Sequence, residues 1–287
     1  MSFSIKCKIY IFYLLIIFVI LFLIWFLFYQ SQPHLFKIYF FDVGQGDATL
    51  IRTANQINIL IDGGPDNAVI YKLGEALPFY DRQIDLMILT HPQMDHLTGL
   101  IEVIKRFEVK TIMAPDVESD SAIYQTFLEI IKQKKIKTVF VQNPLLIPID
   151  QKTKLVFLWP QKNLLTKKSK NLNDYSIVTQ LIYKNTSVLV MGDFEKEEIL
   201  ASQNLDLTSE ILRAGHHGAK DANSDKFIKT VSPIYAVISA GQNNPYGHPH
   251  AQTLQNLNRL NINIFRTDLS GDIIFESDGR IYWPKAD

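Results

Sequence analysis

The feature that most constrains this chain is an uninterrupted apolar run over residues 9–29. The run contains no charged residue, glycine or proline, and 17 of its 21 residues are Leu, Ile, Phe or Val. As a helix it would be about 30 Å long, which matches the hydrocarbon core of a bilayer. The sequence that follows, from Tyr29 to Gln32, lacks the small-residue cleavage site of a signal peptide. We therefore expect an uncleaved transmembrane helix.

The charges beside this run predict its orientation. Lys6 and Lys8 precede it, whereas the next basic residue after it is Lys37. Because positively charged flanks stay on the cytoplasmic side of a membrane, the N-terminus should lie inside and the rest of the chain outside. We expect a single-pass protein, with residues 1–30 as cytoplasmic N-terminus and anchor and residues 34–287 as an extracytoplasmic domain.

Beyond Pro33, short apolar runs alternate with helical patterns, which include residues 67–77, 98–107 and 121–134. No low-complexity linker divides this part, so we predict one mixed α/β domain. The 29 basic and 29 acidic residues cancel, and the overall charge therefore gives no sign of a polyanion-binding surface. The single cysteine, Cys7, excludes an internal disulfide.

Six of the seven histidines fall in three tight clusters, each just after a predicted strand and in a turn with glycine or proline. Loops at strand ends are positions where a rigid sheet can hold ligands. The clustered histidines are His91 and His96, His216 and His217, and His248 and His250.

Two carboxylates accompany these histidines. Asp95 lies beside His96, immediately before the helix predicted from Thr98, and Asp193 follows Gly192 at another predicted strand end. Imidazole and carboxylate together suit Zn²⁺ or Mn²⁺ better than Ca²⁺ or Mg²⁺. We predict a site for one or two divalent ions, with Asp193 as a candidate bridging ligand. Hydrolysis at such a site needs no organic cofactor.

Seven ordered segments spread over about 210 residues carry a family resemblance. They are FFDVGQGDATLI from Phe40, ILIDGG from Ile59, LTHPQMDHLTGL from Leu89, NDYSIVTQL from Asn173, VLVMGDFE from Val188, ILRAGHHGAK from Ile211 and YGHPH from Tyr246. Together they resemble the metallo-β-lactamase fold hydrolases and, among these, the extracytoplasmic ComEC-like domain of bacterial DNA uptake. The resemblance implies a four-layer αββα sandwich with its metal site at the sheet edges.

The resemblance also implies metal ligands. His91 would serve a first metal site, Asp95 and His96 would serve a second, and Asp193 would bridge the two. One member of the pair His216 and His217 would complete the second site, and the resemblance does not decide which.

Catalytic roles follow from the same resemblance. The other histidine of that pair and His248 would hold the scissile group or protonate a leaving oxygen, so that the expected catalytic residues are Asp95, His217 and His248. Asp42, Gln45 and Asp47 form a DVGQGD turn, which would lie beneath the site and orient the imidazoles through their free N–H groups.

Two positions depart from the superfamily pattern, and one of them, Asn173-Asp174 in place of a histidine, is shared with ComEC-like members. Gln93 stands where the superfamily usually has histidine, or aspartate in ComEC-like members, and a neutral amide is a poor metal ligand. The first site would then keep only His91 and Asp193 as strong ligands. Both one and two bound ions remain open at this point.

The resemblance implies a membrane-anchored phosphodiesterase or nuclease outside the bacterial cytoplasmic membrane, acting on a phosphodiester such as single-stranded DNA. A phosphocholine-type esterase of the cell envelope is an alternative. A weakly active binding module of an uptake complex is another, motivated by Gln93 and the near-neutral charge. The expected partners are the bilayer, through the N-terminal helix, and a separate uptake channel, because one span cannot form a channel.

Overall fold

The structure is a computed structural model that describes residues 3–31, 34–163 and 171–285 and, within the N-terminal helix, the side chains of residues 10–25. The chain divides into two compact units, residues 1–34 and residues 35–287. The first contains helix α1 (Phe3–Ser31), which includes the apolar run. Over the part of the chain that the structure describes, no helix combines the length and the hydropathy needed to cross a membrane. The predicted transmembrane helix thus stays a prediction from the sequence.

Residues 35–287 contain two mixed sheets. The first has the strand order β15-β14-β1-β2-β3-β4-β5-β6, in which β3 to β6 are parallel neighbours. Its strands are β1 (Phe36–Phe40), β2 (Thr49–Arg52), β3 (Asn58–Ile61), β4 (Gln83–Ile88), β5 (Glu108–Pro115), β6 (Lys137–Val141), β14 (Ile273–Ser277) and β15 (Tyr282–Pro284).

The second sheet has the order β13-β12-β11-β10-β9-β8-β7, and its strands β10 to β13 are parallel neighbours. Its strands are β7 (Leu145–Pro148), β8 (Thr153–Trp159), β9 (Val178–Tyr183), β10 (Thr186–Val190), β11 (Ile211–Arg213), β12 (Tyr235–Ile238) and β13 (Asn263–Arg266). Each sheet therefore joins four parallel strands to an antiparallel part.

Helices cover the outer faces of both sheets. They are α2 (Ala68–Ala76), α3 (Met94–Arg106), α4 (Ala122–Lys134), α5 (Glu197–Ser202), α6 (Asp225–Val231), α7 (Ala251–Arg259) and α8 (Thr267–Ser270). One apolar cluster fills the space between α2–α4 and the first sheet, another lies between the sheets, and a third joins α5–α7 to the second sheet. Burial on both faces explains the nearly continuous apolar runs of the central strands.

Three strands were missed by the sequence analysis, β6, β7 and β15. Each lies at a free edge of its sheet, and most of their residues are exposed or half-buried. Because one side of an edge strand faces water, it does not need the dense apolar run that identified the central strands. β7 also ends at Pro148, a residue that weakens a strand prediction.

Candidate metal centre

The candidate site lies where the parallel strands of both sheets end. Carboxyl ends of parallel neighbours meet at one edge of a sheet, so the loops after them are brought together. The first sheet contributes the loops after β3 and β4, and the second contributes those after β10, β11 and β12. Every histidine cluster singled out in the sequence falls in one of these loops.

The loop after β4 is shorter than the sequence analysis predicted. Helix α3 begins at Met94 rather than near Thr98, so Asp95 and His96 lie in its first turn. A carboxylate is favourable there because it faces the unpaired backbone N–H groups and the positive end of the helix dipole. The helix consequently fixes the directions of both side chains.

Four side chains converge on one point between the sheets. Nε2 of His96 lies 3.2 Å from Oδ1 of Asp193, and Nε2 of His217 lies 3.2 Å from Oδ2 of Asp95 and 3.6 Å from Oδ2 of Asp193. One ligand atom from each of Asp95, His96, Asp193 and His217 lies within 4.8 Å of all the others. We call these four residues the ligand cluster.

The polar atoms of this cluster are compatible with a bound cation. Within the described part of the chain, both carboxylate oxygens of Asp193 and Nε2 of both His91 and His96 are buried and accept or donate no hydrogen bond. An unpaired buried polar atom costs free energy unless something compensates it. Two imidazoles and two carboxylates could together bind a divalent metal ion, and they fit such an ion.

The charges of the cluster are strongly coupled. Burial would raise the pKa of Asp193, but the imidazoles of His96 and His217 outweigh it and hold that pKa well below its usual range. Burial would lower the pKa of His96, yet the carboxylates of Asp193 and Asp62 raise it well above its ordinary value. Without a metal the cluster therefore holds a proton on His96, and a binding cation would release it.

Asp62 and Thr90 orient His96 at the Nδ1 side of its ring. Oδ2 of Asp62 lies 2.8 Å from Nδ1 of His96, and the hydroxyl of Thr90 donates to the same carboxylate oxygen at 2.7 Å. The backbone N–H of Thr90 donates to Oδ1 at 2.8 Å. With Nδ1–H held by Asp62, Nε2 of His96 faces Asp193.

A second group of nitrogens surrounds the other side of Asp193. Its Oδ2 lies 3.8 Å from Nε2 of His91 and 3.6 Å from Nε2 of His216. Burial and the neighbouring His96 lower the pKa of His91 to about 3, so His91 is neutral and can offer a lone pair. Gln93, the residue that differs from the usual superfamily ligand, donates from Nε2 to Oδ1 of Asn173 at 2.7 Å.

The paired histidines have different surroundings. Both adopt left-handed backbone angles, with φ of 47° at His216 and 52° at His217. His217 is buried, and its Nδ1 donates to the carbonyl of Ser239 at 2.9 Å. His216 is 24% exposed, and its Nδ1 lies 2.6 Å from Oε1 of Glu195. The structure thus brings His217, rather than His216, into the ligand cluster, while Nε2 of both faces Asp193.

An open cleft of about 380 Å³ leads to the cluster. His248 lies in it, with ring centroids 5.4 Å from His216 and 5.9 Å from His217. Burial and the neighbouring imidazoles lower the pKa of His248 to about 4, which leaves the ring neutral near pH 7. The cleft is lined by Gln45, Pro65, Gln93, Met94, Asp95, His216, His217, Tyr246 and His248.

The remaining clustered histidine, His250, is the N-cap residue of α7, and its Nδ1 accepts the backbone N–H of Lys220 at 3.1 Å. Its ring contacts His248 edge to face with centroids 4.9 Å apart. His250 is thus connected to the site through His248.

The three polar residues of the DVGQGD turn make different contacts. Asp47 lies 3.3 Å from Nδ1 of His217 and forms a buried ion pair with Arg213. Gln45 lines the cleft and accepts the N–H of Gly241 at 3.0 Å. Asp42 turns away and accepts the N–H of Gly44. Of the three, only Asp47 lies within 4 Å of a ligand-cluster imidazole in the described structure.

Sequence reasoning missed three residues that shape the site: Asp62, Glu195 and Arg213. Asp62, in ILIDGG, comes directly after strand β3, and Glu195, in VLVMGDFE, comes two positions after the ligand candidate Asp193. Arg213 is fully buried in the apolar strand β11, and its Nη1 donates to the carbonyl of Gly192 at 3.1 Å. A lone arginine in an apolar run was the signal that could have identified it.

Known proteins resemble this chain in sequence and in fold. Residues 41–141 match the family model described as the Metallo-beta-lactamase superfamily. Residues 41–141 thus have the sequence pattern of this superfamily. The matched segment includes the DVGQGD turn, Asp62 and the loop from His91 to His96. The resemblance stated from the sequence is therefore confirmed at the level of the superfamily.

Curated relatives are competence proteins. ComE operon protein 3 of Bacillus subtilis (strain 168) is 29% identical over 259 residues, which cover 84% of this chain and 33% of that protein. Competence protein ComA of Neisseria gonorrhoeae is 29% identical over 238 residues, which cover 82% of this chain and 31% of that protein. The chain thus spans about a third of the length of these relatives, to which it is distantly homologous.

A solved structure supports the fold assignment. The metallo-beta-lactamase fold protein YhfI of Bacillus subtilis aligns with a TM-score of 0.56 and 12% identity over 84% of this chain and all of that one. At this identity the likeness concerns the fold alone. It confirms the metallo-β-lactamase-like α/β fold with two mixed sheets.

Proposed function

We propose that this protein is a metal-dependent phosphodiesterase of ComEC-like type, acting on a phosphodiester such as single-stranded DNA. The observation that carries the proposal is the ligand cluster, whose central carboxylate, Asp193, is fully buried with both oxygens unpaired in the described structure. Homology to competence proteins over more than four fifths of the chain supports the substrate class.

The residues offer two positions around Asp193. Asp95, His96 and His217 would hold one ion with it, and His91 and His216 would hold a second. Such an ion would supply Lewis-acid chemistry, by activating water and neutralising charge on phosphoryl oxygens. Because Gln93 is engaged by Asn173, the second position has fewer charged ligands, and we expect it to bind more weakly.

The chain's own groups provide orientation and hydrogen bonds. The carboxylate of Asp95 is 28% exposed and open to the cleft. Burial would raise its pKa, but the hydrogen bond with His217 outweighs this and lowers it to about 2, so Asp95 is ionised near pH 7 and can hold a cation or accept a hydrogen bond from a water molecule. Glu195 accepts from Nδ1 of His216 and keeps Nε2 directed at the site. The neutral ring of His248 can donate to a phosphoryl oxygen.

The location outside the bacterial cytoplasmic membrane, with residues 1–30 inside or within the bilayer, is part of the proposal and rests on the sequence. Added protease should digest residues 34–287 of the full chain in intact spheroplasts but not in intact cells with a closed outer layer. Protection in spheroplasts would contradict this orientation. From the sequence we also propose a separate channel partner, because one span cannot form a channel.

Metal content and turnover of the full chain, extracted in mild detergent, test the function. We expect at least one Zn or Mn ion per chain by elemental analysis, and metal-dependent hydrolysis of bis(p-nitrophenyl) phosphate. Asp193→Ala should lose both, whereas Asp120→Ala, at an exposed position, should keep both. Hydrolysis that persists in Asp193→Ala, or wild-type protein without bound metal, would overturn the proposal. Faster turnover of a phosphocholine ester than of single-stranded DNA would favour the envelope-esterase alternative.

A further inference from the structure

The loop between β12 and α7 presents an aromatic ring beside the cleft. Tyr246 is 63% exposed and lines the cleft. Its ring lies nearly parallel to the imidazole of His248, with centroids 5.8 Å apart and planes inclined by 23°. Tyr246 is the more exposed ring of this pair, and it is accessible to solvent beside the cleft.

The backbone around this ring is held in place. The side-chain amide of Asn244 donates to the carbonyls of Gly241 and His248, and its Oδ1 accepts the N–H of His248 at 3.0 Å. The N–H of Gly241 donates in turn to Oε1 of Gln45. Tyr246 is therefore fixed from both sides of the loop, and a ligand that contacts it needs little additional ordering.

The ring also belongs to a continuous path to the ligand cluster. His248 follows Tyr246 and contacts His217, whose Nε2 lies 3.6 Å from Oδ2 of Asp193. A planar group resting on Tyr246 would therefore lie beside His248, the ring that connects Tyr246 to the cluster. A substrate that contacts both Tyr246 and the cluster would carry a flat ring near its scissile group.

The charge of the cleft points to the same kind of ligand. Among the described residues that line it, none is Lys or Arg, and Met94 adds exposed apolar surface. Proteins that bind single-stranded nucleic acid combine a cationic groove with aromatic rings on which bases of any sequence stack, and of these two features the described lining of the cleft has the aromatic ring. Quaternary ammonium groups are usually held by cages of several aromatic faces, and here one open ring is presented.

We propose that Tyr246 is the stacking platform for the nucleobase adjacent to the scissile phosphodiester, an inference that rests on the proposed function. It assigns a nucleotide subsite to the outer end of the cleft. The base is recognised through its π face, so this subsite confers a preference for nucleic acid without a preference for one sequence.

The test uses two esters with the same leaving group: the p-nitrophenyl ester of thymidine 5′-monophosphate and methyl p-nitrophenyl phosphate. The measured quantity is the ratio of their kcat/KM values for the full, metal-loaded chain. Tyr246→Ala should lower this ratio by about tenfold, in line with the loss of one base–aromatic stack. Tyr246→Phe should stay within about twofold of wild type, because it retains the ring. Tyr80→Ala removes an equally exposed ring that does not line the cleft and should leave both rates unchanged.

Three results would overturn the stacking site: an equal loss on both esters in Tyr246→Ala, a loss in Tyr246→Phe as large as that in Tyr246→Ala, or a larger effect on p-nitrophenylphosphorylcholine than on the thymidine ester. If wild type hydrolyses none of these esters, the proposed function fails instead. Fluorescence of a 2-aminopurine dinucleotide then decides the subsite. Quenching by wild type that is lost in Tyr246→Ala would support it, and no quenching would overturn it.

Discussion

The floor and the rim of the candidate site are built differently. We define the floor as the six residues Asp47, Asp62, His96, Asp193, Arg213 and His217, all of which are at most 3% exposed. We define the rim as the residues Asp95, His216, Tyr246 and His248, which line the cleft and are partly or largely exposed. Floor residues are buried among partners from other elements, often from both sheets, whereas rim residues keep part of their surface open to the cleft.

This difference predicts different roles for the floor and the rim. The floor excludes water, so its charges interact strongly and have to be balanced, as the opposing effects on the pKa values of His96 and Asp193 show. The rim remains in contact with solvent and with any substrate that enters the cleft. Substitutions in the floor should therefore change stability and metal affinity, and substitutions in the rim should change turnover and selectivity.

The largest effect is expected for Arg213→Ala. This change removes the partner of Asp47 and leaves a buried carboxylate uncompensated, so the free energy of unfolding should fall by about 3 to 5 kcal/mol. Urea denaturation monitored by circular dichroism measures it. The double variant Arg213→Met with Asp47→Leu should recover much of the loss, because the uncompensated charge is gone. A single variant as stable as wild type would show that the floor does not depend on this pair.

Metal removal should produce the next largest effect. Zn²⁺ at one hundred times its dissociation constant should raise the free energy of unfolding by about 2.7 kcal/mol over the chelated protein. The measurement is urea denaturation with and without EDTA. Asp193→Ala should show no such difference. A wild-type chain whose unfolding is unaffected by metal would mean that the unpaired atoms of the floor do not bind a cation.

Asp62→Asn should weaken metal binding by about 10- to 100-fold while retaining the fold, because the amide holds Nδ1–H of His96 less firmly than the carboxylate. Competition with a chromophoric chelator measures the affinity. Asp66→Asn, at an exposed position of the same loop, provides the matched control. If the Asp62 variant binds metal as tightly as wild type, the orientation of His96 does not depend on this carboxylate.

Glu195→Gln should have the smallest effect, a loss of about tenfold in kcat/KM with unchanged stability. Glu195 orients His216 at the rim, and the hydrogen bond with His216 lowers the pKa of Glu195, so the carboxylate is ionised when it accepts that bond. Hydrolysis of bis(p-nitrophenyl) phosphate and urea denaturation are measured on the same sample. A large fall in stability would assign Glu195 to the floor and contradict the division.

The helices and central strands could be predicted from the sequence because their apolar patterns report burial directly. Helix α2 was predicted at residues 67–77 and occurs at Ala68–Ala76. The edge strands β6, β7 and β15 could not be predicted, because their neighbours decide their conformation. The start of α3 was misplaced by four residues, since Asp95 and His96 were expected to be loop ligands and instead occupy the first helical turn.

The sequence by itself determined which chemistry is available to this protein. Clustered histidines and carboxylates after strands indicated a divalent metal site, because such residue types at strand ends have few other uses together. It also determined the superfamily, through the order of the segments that carry these residues.

Only the tertiary structure decided which of these groups act together. It selected His217 over His216 for the ligand cluster, added Asp62 and Arg213 to the floor, and separated Asp42 from Asp47, the other acidic residue of its turn. The physical reason is that contacts across two sheets join residues that are more than a hundred positions apart, as in the pair Asp95 and His217. Local patterns report burial and backbone conformation, whereas distances across the core depend on how the sheets pack.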